Sequence, residues 1–119
     1  ESSVEKLIES IEYFKQVQIR HPKNYEAFIN ESIANFLIVI FRKQAVASFW
    51  SDTDDYIRYA KTAAFKAKNA IDFGEKSDKG KSDIHCMLAI LDHYTGNTDK
   101  AKIHYDESKR LNEKNSITF

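Results

Sequence analysis

The stretch that decides the fold is Phe28–Trp50, which reads FINESIANFLIVIFRKQAVASFW. Its centre, Phe36–Phe41, is an unbroken apolar run, and further apolar residues continue the run to Trp50. Periodicity alone does not separate a buried strand from a buried helix in so short a run. We predict a helix, because no turn residue separates the run from the helical pattern before it and no second strand-like segment exists to pair with it. A helix that is apolar on all sides needs other helices around it.

The composition limits the class of protein. The chain has 119 residues, enough for one domain with a core of its own. Its three glycines and single proline favour long helices over a sandwich or a barrel. Its 18 basic and 18 acidic residues cancel, so no net field favours nucleic acid or a membrane surface as a partner. The single cysteine, Cys86, excludes an internal disulfide framework.

No segment of the sequence reads as a targeting or membrane-spanning element. The longest apolar run is well short of the roughly 20 residues that cross a bilayer, and Arg42 and Lys43 close it. The chain starts with neither an initiator methionine nor a signal-like segment, so we expect it to have been processed or cut from a longer protein. We therefore favour a cytoplasmic location, and we expect no membrane and no nucleic acid as partner.

Capping and turn signals divide the chain into five predicted helices. Ser2 and Glu5 form a capping box, Pro22 ends the first helix, and Gly74 ends the third. The second helix either runs unbroken to Trp50 or kinks near Arg42–Gln44. The predicted bounds are a helix from Ser2 to Pro22, a second from the N-cap Asn24, a third from Asp52 or Thr53 to Gly74, a charged loop over Glu75–Lys81, a fourth helix from Ser82 or Asp83, a turn over Tyr94–Asn97, and a fifth helix from Thr98 to Asn112.

One spacing of residues recurs three times: a small residue, an aromatic or alanine four later, and a small residue three after that. The three instances are Ser10, Phe14 and Val17, then Ala63, Ala67 and Ala70, then Ala101, Tyr105 and Ser108. Pro22 follows the first instance, Ser32 is a small residue in the next helix, and Leu88–Ala89 and Gly96 precede the last instance. In these residues the chain resembles the tetratricopeptide repeat family, whose second helix carries this spacing.

The resemblance covers about two and a half repeats and has departures. Glu75 and Glu113 occupy two positions where the family has a closing proline, and His85 stands where it has an opening tryptophan. The distance from Ser10 to Ala63 is longer than one repeat. An unrelated antiparallel helical bundle is therefore the alternative to a repeat array.

The resemblance implies an all-α domain over residues 1–119, an antiparallel helix-turn-helix array that is a fragment of an α-solenoid. In this family the first helices of the repeats line a groove that binds a peptide or a helix of a partner protein. The resemblance places Ile33 and Ile90 where the family's carboxylate-binding version has asparagines, so binding of a carboxylate tail is not expected. The implied partner-binding residues are Ile29, Ile33, Phe36 and Leu37 of the second helix, flanked by Glu26, and Cys86, Ile90, His93 and Tyr94 of the fourth helix, flanked by Asp83.

Three classes of function follow from the sequence. The first is a non-catalytic protein-interaction module without cofactor or metal, acting through that groove. The second is a self-associating helical bundle whose central run forms a homodimer interface. The third is a small helical enzyme or metal-binding protein centred on His93 and His104, with Asp92 or Cys86 as a further zinc ligand. Lysines of the third helix and the following loop, such as Lys66, indicate a solvated helix face or, alternatively, a site for an acidic partner or RNA.

Overall fold

The structure is a computed structural model that describes residues 2–44, 53–73 and 78–112. All regular secondary structure in these ranges is α-helix, so the predicted all-α fold of five helices is confirmed. The run Phe36–Phe41 lies inside the second helix, as predicted. The helices are α1 (Ser2–Arg20), α2 (Tyr25–Gln44), α3 (Thr53–Phe73), α4 (Asp78–Tyr94) and α5 (Thr98–Leu111).

Each helix packs against the next one along the chain, and α2 also contacts α4. The α4–α5 pair is antiparallel, because Ser82 contacts Ser108 whereas His85, one turn further along α4, contacts the earlier residue His104. The α2–α3 pair is also antiparallel. The guanidinium of Arg42, near the end of α2, lies 5.1 Å from the ring centre of Tyr56 near the start of α3.

The connection between α1 and α2 follows the sequence signals closely. Arg20 is the last residue of α1, and Pro22 lies in the turn that follows. The Asn24 side chain accepts a hydrogen bond from the backbone N–H of Glu26 at 3.1 Å. Asn24 therefore is the N-cap of α2, because a side-chain oxygen satisfies an amide of the first turn that has no partner within the helix.

The start of α4 differs from the prediction. The helix begins at Asp78, so part of the predicted loop Glu75–Lys81 and both predicted caps, Ser82 and Asp83, lie within it. Ser82 does not cap the helix because its buried hydroxyl donates to the carbonyl oxygen of Ser108 at 2.7 Å. Residues 74–77, and with them the predicted end of α3 at Gly74, lie outside the described residues. The same is true of residues 45–52, which include the predicted cap Asp52 and the alternative end of α2 at Trp50.

In α3 and α5 the core follows the small residues of the recurring spacing, whereas Ser10 and Val17 of the first instance are only partly buried. Ala63, Ala67, Ala101 and Ser108 are each at most 2% exposed. On α2, the fully buried hydroxyl of Ser32 donates to the Ala60 carbonyl oxygen of α3 at 2.7 Å. Such small side chains let neighbouring helices approach closely. A second, smaller cluster holds α1 against α2 and consists of Val4, Ile11, Ala34 and Ile38.

The prediction that other helices surround α2 on all sides is wrong for one face. Ile33, Leu37 and Phe41 are spaced four residues apart and are 39%, 37% and 43% exposed. This spacing places them along one side of the helix, because a helix turns once in 3.6 residues. We call these three residues the open strip of α2. It borders the site described next.

Candidate partner-binding groove

A groove with a volume of about 650 Å³ runs between α2 and α4. It has the size of pockets that hold small molecules or a few side chains of a peptide. Two residues of the open strip, Ile33 and Leu37, form part of its wall. The lining residues are Tyr25, Glu26, Ile29, Asn30, Ile33, Phe36 and Leu37 from α2, and Lys79, Asp83, Cys86, Met87 and Ile90 from α4.

The groove is held by the core beneath it. Ile29 and Met87 are buried and belong to the main core cluster, so they give the groove a fixed apolar floor. At one end the ring of Phe36 packs edge-to-face on Tyr94, with ring centres 5.4 Å apart and an interplanar angle of 87°. Edge-to-face pairs contribute about 0.5–1.5 kcal/mol beyond the burial of their area. This pair therefore fixes the spacing of α2 and α4 at that end.

The polar residues of the groove lie at the end near Tyr25. Lys79 and Asp83 form an ion pair one helical turn apart, with Nζ and Oδ2 separated by 3.1 Å. The hydrogen bond to Asp83 and the charge of Asp83 raise the pKa of Lys79, so Lys79 stays charged and neutralises that carboxylate. Glu26 is exposed and has no ion pair with any residue that the structure describes. Among the lining residues that the structure describes, the rim of the groove therefore carries one negative charge in excess.

Cys86 lies in the wall of the groove and is partly buried. Burial, with a smaller contribution from the charge of Asp83, raises the pKa of its thiol to about 11. A thiol is a nucleophile only as the thiolate, so this side chain is a weak nucleophile at neutral pH. In the groove it contributes an apolar surface.

Six of the eight residues that the resemblance implied for partner binding line this one groove: Ile29, Ile33, Phe36, Leu37, Cys86 and Ile90. Tyr94 lies at the end of the groove, against Phe36. His93 is exposed and does not line the groove. It lies one turn beyond Ile90, the last residue of α4 that does.

Sequence reasoning missed several residues of the groove. Tyr25 and Lys79 belong to the first turns of α2 and α4, whereas the sequence pattern predicts a loop at Lys79. Met87 also lines the groove and is not among the residues that the resemblance implies. Its position four after Asp83 and three before Ile90, which both line the groove, is the one signal that could have placed it on this side of the helix.

The histidine pair predicted for the third class of function is not the pair that the structure brings together. His85, and not His93, faces His104 across α4 and α5, with the two Nδ1 atoms 2.9 Å apart. Burial is the main factor that lowers the pKa of both imidazoles. Within residues 2–44, 53–73 and 78–112, no three His, Cys, Asp or Glu side chains are grouped so that they could hold a metal ion.

Comparison of the chain with protein-family models, with curated proteins and with solved structures finds no match. Among the described helices, none combines the length and the apolar character that crossing a membrane requires.

Proposed function

We propose that this chain is a non-catalytic protein-interaction module, similar in plan to tetratricopeptide repeats, that binds a helix or peptide of a partner between α2 and α4. The observation that carries the proposal is the groove itself, whose wall includes the exposed residues Ile33 and Leu37. A contiguous apolar surface of this kind, rimmed by polar residues, is typical of a protein-binding site. The order of helix contacts supports the repeat-like plan, since α2 and α4 are the first helices of successive pairs and contact each other.

The chemistry of the groove favours an amphipathic segment. Apolar side chains at positions i, i+3 or i+4, and i+7 of a partner helix would replace water over Ile33, Leu37 and Ile90. The excess negative charge at the rim, carried by Glu26, favours a partner with a lysine or arginine beside its apolar residues. Such a rim charge acts mainly on the association rate and on specificity.

The test uses peptides selected for binding from a random library displayed on phage. Selected peptides are measured by fluorescence anisotropy against the wild-type protein, Ile33→Asp, and the control Ile103→Asp. Both isoleucines are already exposed, and Ile103 lies on α5 outside the groove, so circular dichroism should show all three proteins folded. We expect Ile33→Asp to bind at least about tenfold more weakly and Ile103→Asp to bind like the wild type. Equal affinity for all three proteins would refute the proposal.

A second function has one observation in its favour. The open strip continues beyond the groove to Phe41, which is 43% exposed and is not one of the lining residues. A homodimer in which two such strips meet would cover this side chain. Sedimentation equilibrium over a wide concentration range distinguishes the two functions, because a protein that stays monomeric throughout does not use the strip to self-associate.

A further inference from the structure

A second, shallow groove lies on another part of the molecule, between the end of α1, the turn before α2 and the C-terminal half of α3. Its volume is about 670 Å³, and it shares no residue with the groove between α2 and α4. We call it the lysine groove. Its lining residues are Lys15, Gln18, Ile19, Pro22, Lys23, Phe28, Lys66, Asn69 and Ala70.

The lysine groove has an uncovered apolar surface. Ile19 is 75% exposed, although it lies in the last turn of α1 beside Pro22. Phe28 is partly buried and contacts the main core cluster. These side chains form a small apolar surface that a partner could bury, since burial of apolar area is the main favourable term in association.

The charged residues described in the lining of the lysine groove are all positive. Three lysines line it, one each from α1, the turn before α2 and α3, and none of the lining residues that the structure describes is a carboxylate. Lys15 makes a weak contact of 3.8 Å with the exposed Glu12, whereas Lys23 and Lys66 have no ion pair with any described residue. The chain as a whole has no net charge, so this local excess of positive charge is a feature of the site and not of the composition.

We propose that the lysine groove binds an acidic amphipathic peptide segment of a partner protein, with apolar side chains over Ile19 and Phe28 and carboxylates beside the lysines. Apolar residues and lysines line the same groove, so a ligand that fills it must offer both kinds of group within a few residues. A helix with Glu or Asp flanking its apolar residues does so, because residues three and four apart share a face. This proposal is independent of the proposed function, since the two grooves have no residue in common.

The test compares two synthetic peptides with the same leucine spacing, one flanked by glutamates and the other by lysines. Binding to the intact chain is measured by fluorescence anisotropy. We expect the glutamate peptide to bind at least about tenfold more tightly, and to lose most of this advantage when salt rises from about 0.1 M to about 1 M. Equal binding of the two peptides would overturn the proposal.

Matched variants locate the site. Lys23→Gln combined with Lys66→Gln removes two charges from the groove, and Ile19→Asn removes its exposed apolar side chain. Lys6→Gln combined with Lys100→Gln is the control, because it removes two charges from exposed lysines outside the lining. We expect both groove variants to bind the glutamate peptide roughly tenfold more weakly, while the control binds like the wild type.

Two results of these measurements would overturn the assignment. In the first, Ile33→Asp abolishes binding of the glutamate peptide whereas Ile19→Asn does not, which would place the peptide in the other groove. In the second, vesicles of phosphatidylserine bind with the same dependence on Lys23 and Lys66 while the peptide does not bind, which would make the ligand a membrane surface. All the substituted side chains are exposed, so circular dichroism should show that every variant is folded.

Discussion

The strongest prediction about stability concerns Gly80, in the first turn of α4. A Cβ atom at this position would lie 2.6 Å from Cδ1 of Ile71 on α3 and 2.7 Å from Cζ of Tyr25 on α2. Carbon atoms in good contact are about 3.5–4.0 Å apart, so Gly80→Ala forces two neighbours to move by about 1 Å each. The Ile71 side chain is 1% exposed and belongs to the main core cluster, whereas the partly buried ring of Tyr25 can turn toward the groove that it lines.

Two effects of opposite sign decide the size of the change. Overpacking of a well-filled site costs about 1–3 kcal/mol. Alanine is better than glycine in a helix interior by up to about 1 kcal/mol, and less in a first turn. We therefore expect Gly80→Ala to lower the free energy of unfolding by about 1–2 kcal/mol. For a domain of this size that is a fall in Tm of about 4–8 °C, measured by circular dichroism during heating.

A double-mutant cycle tests the cause. Ile71→Val removes the Cδ1 atom that the new Cβ would strike, and by itself costs about 0.5–1.5 kcal/mol. If the clash is the cause, Gly80→Ala should cost less in the Ile71→Val protein than in the wild type, by at least about 0.5 kcal/mol in urea unfolding. Additive effects of the two substitutions would refute this reasoning, as would a rise in stability for Gly80→Ala alone.

Four further predictions follow from single sites. Gly96→Ala should destabilise the chain by about 1 kcal/mol through backbone strain alone, because φ is +85° and no atom lies within 4 Å of the new Cβ; Gly96→Asn should cost less in the same urea titration. Ser32→Ala should cost about 1 kcal/mol by urea unfolding, because it removes the buried hydrogen bond to α3. Folding lowers the pKa of His85 and His104, so below the histidine pKa of about 6.5 in the unfolded chain, the unfolded chain binds more protons than the folded one. The free energy of unfolding should therefore fall as the pH drops below that value, and fall less in a protein with both histidines changed to Gln. Alkylation of Cys86 by iodoacetamide should be slow at neutral pH and accelerate toward pH 11, and a plateau reached below pH 9 would contradict the pKa of about 11.

The parts of the fold that the sequence predicts well are those that depend on neighbours three and four residues away. The spacing of Ala63 and Ala67, and of Ala101 and Ser108, places each pair on one side of a helix, and all four residues are buried. The cap at Asn24 is equally local, since the side chain binds an amide two residues later. Within a helix, these relations hold whatever the other helices do.

The errors arise where another helix determines the role of a residue. Glycine among charged residues indicates a loop in a local window, but Gly80 lies within α4, and a Cβ there would meet Ile71 and Tyr25 from two other helices. The histidines show the same limit. His93 and His85 lie two turns apart on α4, and only the packing of α5 determines that His85 is the one that meets His104.

The exposure of the open strip separates a structural role from a binding role for its residues. A side chain contributes to stability in proportion to the area that folding removes from water, and full burial of an isoleucine or leucine contributes about 1.5–3 kcal/mol. Ile33 and Leu37 retain more than a third of their exposure, whereas Ile38 on the same helix retains none. If the strip serves folding, Ile33→Asp and Leu37→Asp should lower stability nearly as much as Ile38→Ala does. If it serves binding, the two aspartate variants should have a midpoint of urea unfolding close to that of the wild type and should lose only their affinity for a groove-binding peptide.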